Sequence, residues 1–433
     1  MIKAIVYLAL AALLFSCKKS ASPPPVTPPV TPPVTPPAKT LGITAISPTS
    51  GPDSTSVTIT GGGFGTTAAS DSVLFDGHLA SISSINDSVL VALVPLGAGT
   101  GSVLVKTGGK TATGPVFMYV YTYIVTTFAG GTLGDLDGTG TAAEFNDPFG
   151  IACDTAGNVI VADAGNSKIR MVTPAGVVTT IAGSGTPGFR DGPASMAEFL
   201  VPPSVAVDPN NNILVADANN YKIREISGGV VSTLAGTTLG EQNGPAATAQ
   251  FQFPAWLTVD PSGNIFVADG LYIRKISGGS VSTLFDATSL GSSFTTFIGI
   301  AVNQGDTLYL TNFSGNYVYS LTAAGVFGNL AGAGIAAYQD GTGAAAYFSS
   351  CKGLTVDGQG NVLVADEANQ RIRMISPGGV VTTIAGSGTG ADQDGTGTSA
   401  EFYYPEAVAV DKKSGTIYVL EPMSNRIRKI TVQ

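Results

Sequence analysis

The aspartate in "GIACDTAGNVIVADAGNSKIRMVTPAGVVTTIAG", Asp154, recurs as Asp208, Asp260, Asn303, Asp357 and Asp411, at spacings of 54, 52, 43, 54 and 54 residues. Six copies of one unit constrain the fold before any single motif does. Each copy must be one supersecondary element that buries its faces only against its neighbours. The fifth copy reads "GLTVD", "NVLVAD", "RIRMIS" and "VVTTIAG", joined by "GQG", "EANQ" and "PGG". Four alternating runs with tight turns predict an antiparallel four-stranded meander, too small to cover its own faces. Six meanders packed radially make a six-bladed β-propeller.

The exceptions to the repeat carry as much information. Unit three shortens its second turn to "ADGLYIRKI", and unit four, "TLYLTNFSGNYVYSL", replaces the acidic residue with Thr311-Asn312 and lacks the basic pair. Unit six ends at "RIRKITVQ" without a fourth strand, whereas "YIVTTFAGG" at Tyr123–Gly131 has the sequence of a fourth strand with no unit before it. The predicted solution is that Ile124–Gly130 pairs beside Arg426–Val432 and closes the ring, covering an otherwise open sheet edge.

With 56 glycines, 44% hydrophobic and only 12% charged residues, the rest of the chain also favours short strands over helices, and the expected class is all-β. Leu41 to Tyr121 holds short alternating runs broken at Pro48, Gly51, Gly61-Gly62-Gly63, Gly77, Pro95 and Gly108. About seven strands in some 80 residues suit an immunoglobulin-like sandwich. "ISPTSGP", "VTITGGGFG" and "VLFDG" resemble the IPT/TIG family, whose members serve as spacers, glycan-binding modules or interaction modules. His78, the chain's single histidine, falls in the turn-like "FDGHLA".

At the N-terminus, "MIKAIVYLALAALLFSC" has a basic start and an apolar run too short to span a bilayer, so it reads as a secretory signal. "LFSC" resembles a lipobox, which implies cleavage before Cys17 and its acylation. The absence of Asp after that cysteine, by resemblance to lipoprotein sorting, implies the outer membrane of a bacterial cell envelope, with surface exposure open. "SPPPVTPPVTPPVTPPAK" from Ser22 to Lys39 is an extended polyproline stalk of roughly 50 Å. The expected organisation is a signal peptide at 1–16, a lipidated cysteine and Pro-rich linker at 17–40, an IPT/TIG domain at 41–122 and the propeller at 123–433.

The units themselves resemble NHL repeats, most closely at "NVIVADAGNSKIRMV", "NILVADANNYKIREI" and "NVLVADEANQRIRMI". NHL-like peptidylglycine lyases, and lyases resembling virginiamycin lyase, depend on histidine. This propeller has none, which excludes a histidine zinc site or histidine acid–base chemistry in the ring. Cys153 takes a place held elsewhere by valine and reads as a buried hydrophobe; Cys351 takes a place held by proline.

Asp163, Asp217, Asp269 and Asp366 share a face with long loops carrying "DGTGTAAEF", "DGPASMAEF", "NGPAATAQF", "DGTGAAAYF" and "DGTGTSAEF". Two readings stand. Asp163, Asp217 and Asp366 could be hard-cation ligands, making calcium the candidate cofactor. Alternatively, Asp-Gly makes the turn and the following Phe plugs the gap between blades. Departures from the repeat are the better pointers to binding. Trp256 stands in a row of small residues, Gly150, Ser204, Gly299, Gly353 and Ala407, where an indole can stack on a sugar or close the channel. The preceding row varies most and includes Phe149, Lys352 and Glu406, the last two expected to pair. Tyr338 and Tyr403 add aromatic surface to the same face.

A net charge of −9 argues against nucleic acid. The sequence therefore favours a non-catalytic envelope lipoprotein that binds a polysaccharide or an envelope protein and is held to the membrane through Cys17. A lyase or hydrolase using loop-face carboxylates, and a purely adhesive module, are the alternatives.

Overall fold

The computed structural model describes residues 39–291, 295–313 and 315–433. The signal segment, Cys17 and the Pro-rich stretch up to residue 38 lie outside the described residues. No α-helix occurs among those described, and two β-domains follow one another along the chain.

The first domain is a sandwich whose strands are ordered Gly42–Ser47, Ser56–Gly62, Val89–Leu93, His78–Ile85, Asp71–Phe75, Gly101–Thr107, Lys110–Tyr119 and Ser50–Gly51. Alternation along Ser56–Gly62 and Gly101–Thr107 turns Val57, Ile59, Val103 and Val105 inward, where they meet Phe64, Phe75 and Phe117 in one core. His78 is exposed at the start of its strand, directly after the Asp76-Gly77 turn.

The second domain is the six-bladed propeller. Blade one, for example, pairs Pro148–Cys153, Val159–Asp163, Lys168–Val172 and Val177–Ala182 in sequence order from the axis outward. Its hydrophobic cores lie between blades: Leu214 and Ala216 of blade two pack with Leu257, Val267 and Ile276 of blade three. Blade six takes Ala407–Val410, Ile417–Glu421 and Arg426–Val432 from the C-terminal end and Tyr123–Gly130 as its fourth strand. The register runs from Arg426 opposite Gly130 to Val432 opposite Tyr123, so the ring closes as its sequence implies. Two further bonds, Thr122 N–H to the Gln433 carbonyl at 2.8 Å and Gln433 N–H to the Thr122 carbonyl at 2.9 Å, carry the clasp to the domain junction.

Five blades also carry a two-residue outermost strand that the repeat does not announce. Gly138–Thr139 pairs outside Val177–Ala182, and the equivalents are Gly192–Pro193, Gly244–Pro245, Gly341–Thr342 and Gly395–Thr396. Each comes from the Asp-Gly (in one loop Asn-Gly) loop that precedes its blade and covers the blade's outer edge. Blade four, whose preceding loop lacks that motif, has four strands among the described residues.

The small-residue row is explained by close approach of neighbouring inner strands. A Cβ on Gly150 would lie 2.5 Å from Ser204 Cα, and one on Gly353 2.9 Å from Ala407 Cα.

Candidate functional site

The loop-rich face is organised around five arginines. The third strands place Arg170, Arg224, Arg274, Arg373 and Arg428 with no solvent exposure, each against the carboxylate that ends the second strand of the same blade. Arg170 to Asp163 measures 2.8 Å, Arg224 to Asp217 2.8 Å, Arg274 to Asp269 2.9 Å, Arg373 to Asp366 2.6 Å and Arg428 to Glu421 3.4 Å. The other guanidinium arm reaches the Asp-Gly loop, as in Arg170 to Asp137 and Arg373 to Asp340, both at 2.7 Å. Below each guanidinium lies the ring of the loop phenylalanine, fully buried, at 5.0 to 5.4 Å.

This arrangement corrects the calcium candidates. Asp163 accepts bonds from Asn146 N–H, Asn166 Nδ2 and Arg170 Nη1; Asp217 from Leu200 N–H, Asn220 Nδ2 and Arg224; Asp366 from Ser349 N–H, Asn369 Nδ2 and Arg373. An arginine already occupies the position a cation would take. Among the described residues no cluster of three or more His, Cys, Asp or Glu side chains is set to hold a metal. The turn-and-plug reading of the loops holds, and the loop aspartate's partner is the arginine. In blade four Tyr319 takes the arginine's place and stacks on Phe327 at 5.0 Å, which stacks on Phe285 at 4.6 Å. An aromatic column replaces the ionic anchor there.

Trp256, half-buried, packs against two core clusters, one spanning blades six and one and the other spanning blades three and four, and lines the axial space with Ile151, Ile300, Ala407 and Ala409. Because blades three and six are opposite in a ring of six, packing against the cluster of blades six and one places the indole at the axis. The space remaining along the axis is about 160 Å³.

Lys352 Nζ lies 3.5 Å from Glu406 Oε1 and 3.8 Å from Glu367 Oε2, and 5.3 Å over the exposed ring of Phe313. The expected Lys352–Glu406 pair is therefore present, with Glu367 as a second acid. Burial pushes Glu406 up to about 7, against the pull of Lys352 and with help from the charges of Glu367 and Asp147. Phe149 is half-buried one blade along, in the same row of the repeat. Tyr338 and Tyr403 do not join this cluster. Tyr338 lies flat under Arg371 at 3.8 Å on the outer part of blade five, and Tyr403 packs edge-on to Tyr404 at 5.1 Å where blades five and six meet.

A further cavity lies at the opposite end of the axis, on the face of short turns. It is a crater of about 560 Å³ whose wall is Cys153, Val207, Val259, Val302 and Val410 and whose rim is Asp154, Asp208, Asp260, Asn303 and Asp411. These are the repeat's reference residues. Each folds its turn: Asp154 Oδ1 accepts from Ala156 N–H and Asn158 N–H, and Oδ2 from Asn158 Nδ2. Asp208 and Asp260 repeat the pattern. Turn donors thus fix the direction of these carboxylates, and at Asp154 and Asp208 an Oδ2 that takes one turn bond keeps acceptor capacity, whereas Asp260 is buried. Cys153 is half-buried, packed against the core between blades six and one and lining this wall. Cys351 is buried, with Sγ 3.3 Å from the Tyr317 carbonyl, and burial pushes both thiols far up, leaving neither as a nucleophile.

Lys412 and Lys413 also line the crater, and sequence reasoning missed them. The signal was available: "DKKSGT" in unit six replaces the "DTAGN" type of turn. A second cavity of about 350 Å³ adjoins, lined by Gly97 and Tyr121 from the sandwich side, Tyr123, and Asp357, Gln359, Ser414, Lys412 and Lys413 among the propeller residues.

Residues 41–123 match the IPT/TIG domain. The chain is 25% identical over 302 residues to human NHL repeat-containing protein 2, covering 63% of this chain and 36% of that relative's length. It therefore spans about a third of the relative. Among solved structures, a structural genomics protein of unknown function from Bacteroides thetaiotaomicron superposes with a TM-score of 0.62 at 21% identity, over 93% of this chain and 99% of that one. An auxiliary nutrient binding protein from the same organism superposes with a TM-score of 0.56 at 17% identity, over 90% and 97%. At these identities the likeness is one of fold, and it extends across both domains.

Proposed function

We propose that this protein is a non-catalytic binding protein of the bacterial cell envelope, held at the outer membrane through acylated Cys17, and that its propeller takes up a neutral polysaccharide in the crater on the short-turn face. The observation that carries this reading is the crater itself. It has the volume of a ligand site, and its carboxylates, held in place by turn donors, suit hydroxyl donors and disfavour anions. The fold shared with an auxiliary nutrient binding protein from Bacteroides thetaiotaomicron agrees with it.

A second reading is favoured by one specific observation. Glu406 is held near neutrality beside Glu367, with Lys352 between them, and this is the charge pattern of an acid–base pair. A lyase or hydrolase acting on the loop-rich face would use it.

Calorimetry of the detergent-solubilised full-length protein against neutral polysaccharides, followed by product analysis, separates the two. Stoichiometric binding with no product formed supports the binding role. Product formation that disappears in Glu406→Gln would replace it with the enzymatic one, and capture of an envelope protein without any saccharide affinity would shift the ligand class.

A further inference from the structure

We propose that the cleft between the two domains is a second saccharide subsite, continuous with the crater, so that the protein binds an extended neutral oligosaccharide and the sandwich domain supplies part of the site. The inference rests on the crater reading and deepens it.

The two cavities share Val410, Lys412 and Lys413 as lining, so they meet along one ridge of blade six. Across that ridge the cleft offers what a sugar ring requires. Tyr121, 45% exposed, presents an aromatic face. Around it stand Asp357, Gln359, Ser414 and the two lysines, over an apolar floor of Leu363, Ile417 and Val432. Asp357 is aimed as the crater aspartates are, with Oδ1 accepting from Gln359 N–H and Asn361 N–H. Neither Lys412 nor Lys413 has an ion-pair partner among the described residues, so both ammonium groups remain free to donate to hydroxyls.

The site is also preformed. Tyr121 is held in a ladder, its ring 4.8 Å from Tyr119 and 6.5 Å from Tyr123. The backbone on either side is fixed, because Thr122 exchanges two hydrogen bonds with Gln433 and the Tyr119 N–H donates to Thr100 Oγ1 at 2.9 Å. A stacking platform on a rigid junction binds without the ordering cost a mobile linker would impose. Carboxylates at 154, 208, 260, 357 and 411 outnumber the two lysines along this path, which favours neutral over acidic sugars.

The test uses the detergent-solubilised full-length protein and calorimetric titration with malto-, cello-, manno- and galacto-oligosaccharides, each from monosaccharide to hexasaccharide, with oligogalacturonides as the acidic comparison. One neutral series should gain affinity with length. Tyr121→Ala should weaken its hexasaccharide about tenfold and leave its shortest members unchanged, whereas Tyr121→Phe should bind as the wild type does. Gln304 lines the crater but not the cleft, and Gln304→Trp, which puts bulk there, should weaken every length. If Gln304→Trp weakens binding but Tyr121→Ala leaves the hexasaccharide untouched, the cleft inference is overturned and the crater reading stands. If no neutral series binds, or only the oligogalacturonides do, both fall.

Discussion

Replacing Arg373 by Met tests whether the buried arginines, rather than the acidic loops they hold, secure the loop-rich face. Arg373 Nη1 donates to Asp366 Oδ2 at 2.6 Å and the Tyr347 carbonyl at 3.0 Å; Nη2 donates to Asp340 Oδ1 at 2.7 Å and the Gln339 carbonyl at 2.8 Å. The Met side chain fills much of the same volume over Phe348 but leaves Asp366 fully buried without its cation. Removing one partner of a buried pair costs about 3 to 5 kcal/mol. Pairing the change with Asp366→Asn removes the stranded charge while keeping acceptors for Ser349 N–H, and should recover about 2 kcal/mol of the loss. Trp256, the chain's single tryptophan, sits at the axis and reports propeller unfolding by fluorescence in urea. An Arg373→Met protein within about 1 kcal/mol of wild type, or a double variant no more stable than the single one, would refute the reasoning.

Trp256→Ala should lower the stability of the propeller by about 3 kcal/mol, read by circular dichroism on heating, because it opens a cavity where the indole bridged blades one, four and six. Because Trp256 does not line the crater, its loss should leave the affinity for neutral oligosaccharides there within a few-fold. Glu406 has a folded pKa of about 7 against an ordinary 4.5, so the folded chain holds its proton more tightly than the unfolded one. The stability this contributes is full below about pH 4.5 and lost as pH rises through 7; Glu406→Gln should remove about 3 kcal/mol of that decline, measured by urea unfolding across the interval.

The blade count and the closing strand were legible because repetition and a displaced copy are properties of the sequence itself. Tyr123–Gly130 could be matched to the deficit after Arg426–Val432 without any three-dimensional information. The Lys352–Glu406 pair was legible for the same reason, since equivalent positions on successive units must be neighbours. What escaped was the use of the loop acids. Asp137 and Arg170 are far apart in sequence and meet only when the loop folds back over its blade's outer edge, so the acids looked free when they were already paired. The crater escaped because its rim residues, such as Asp154 and Asp208, are also the turn-forming residues, and a repeated turn gives no sign that five of them enclose a space. Tyr121 and Gly97 were hidden by the domain boundary itself.

The strand that closes the ring also sets the order in which this protein can be made. Tyr123–Gly130 leaves the ribosome before every other propeller strand, and its partner Arg426–Val432 leaves after all of them. Until then the blades must form with a gap in the ring and two bare edges facing the solvent, a state in which neighbouring nascent chains could pair with one another. Contacts between the ends of so long a segment are slow to form. A chaperone that shields the early strand during synthesis would therefore protect this fold at its most vulnerable stage.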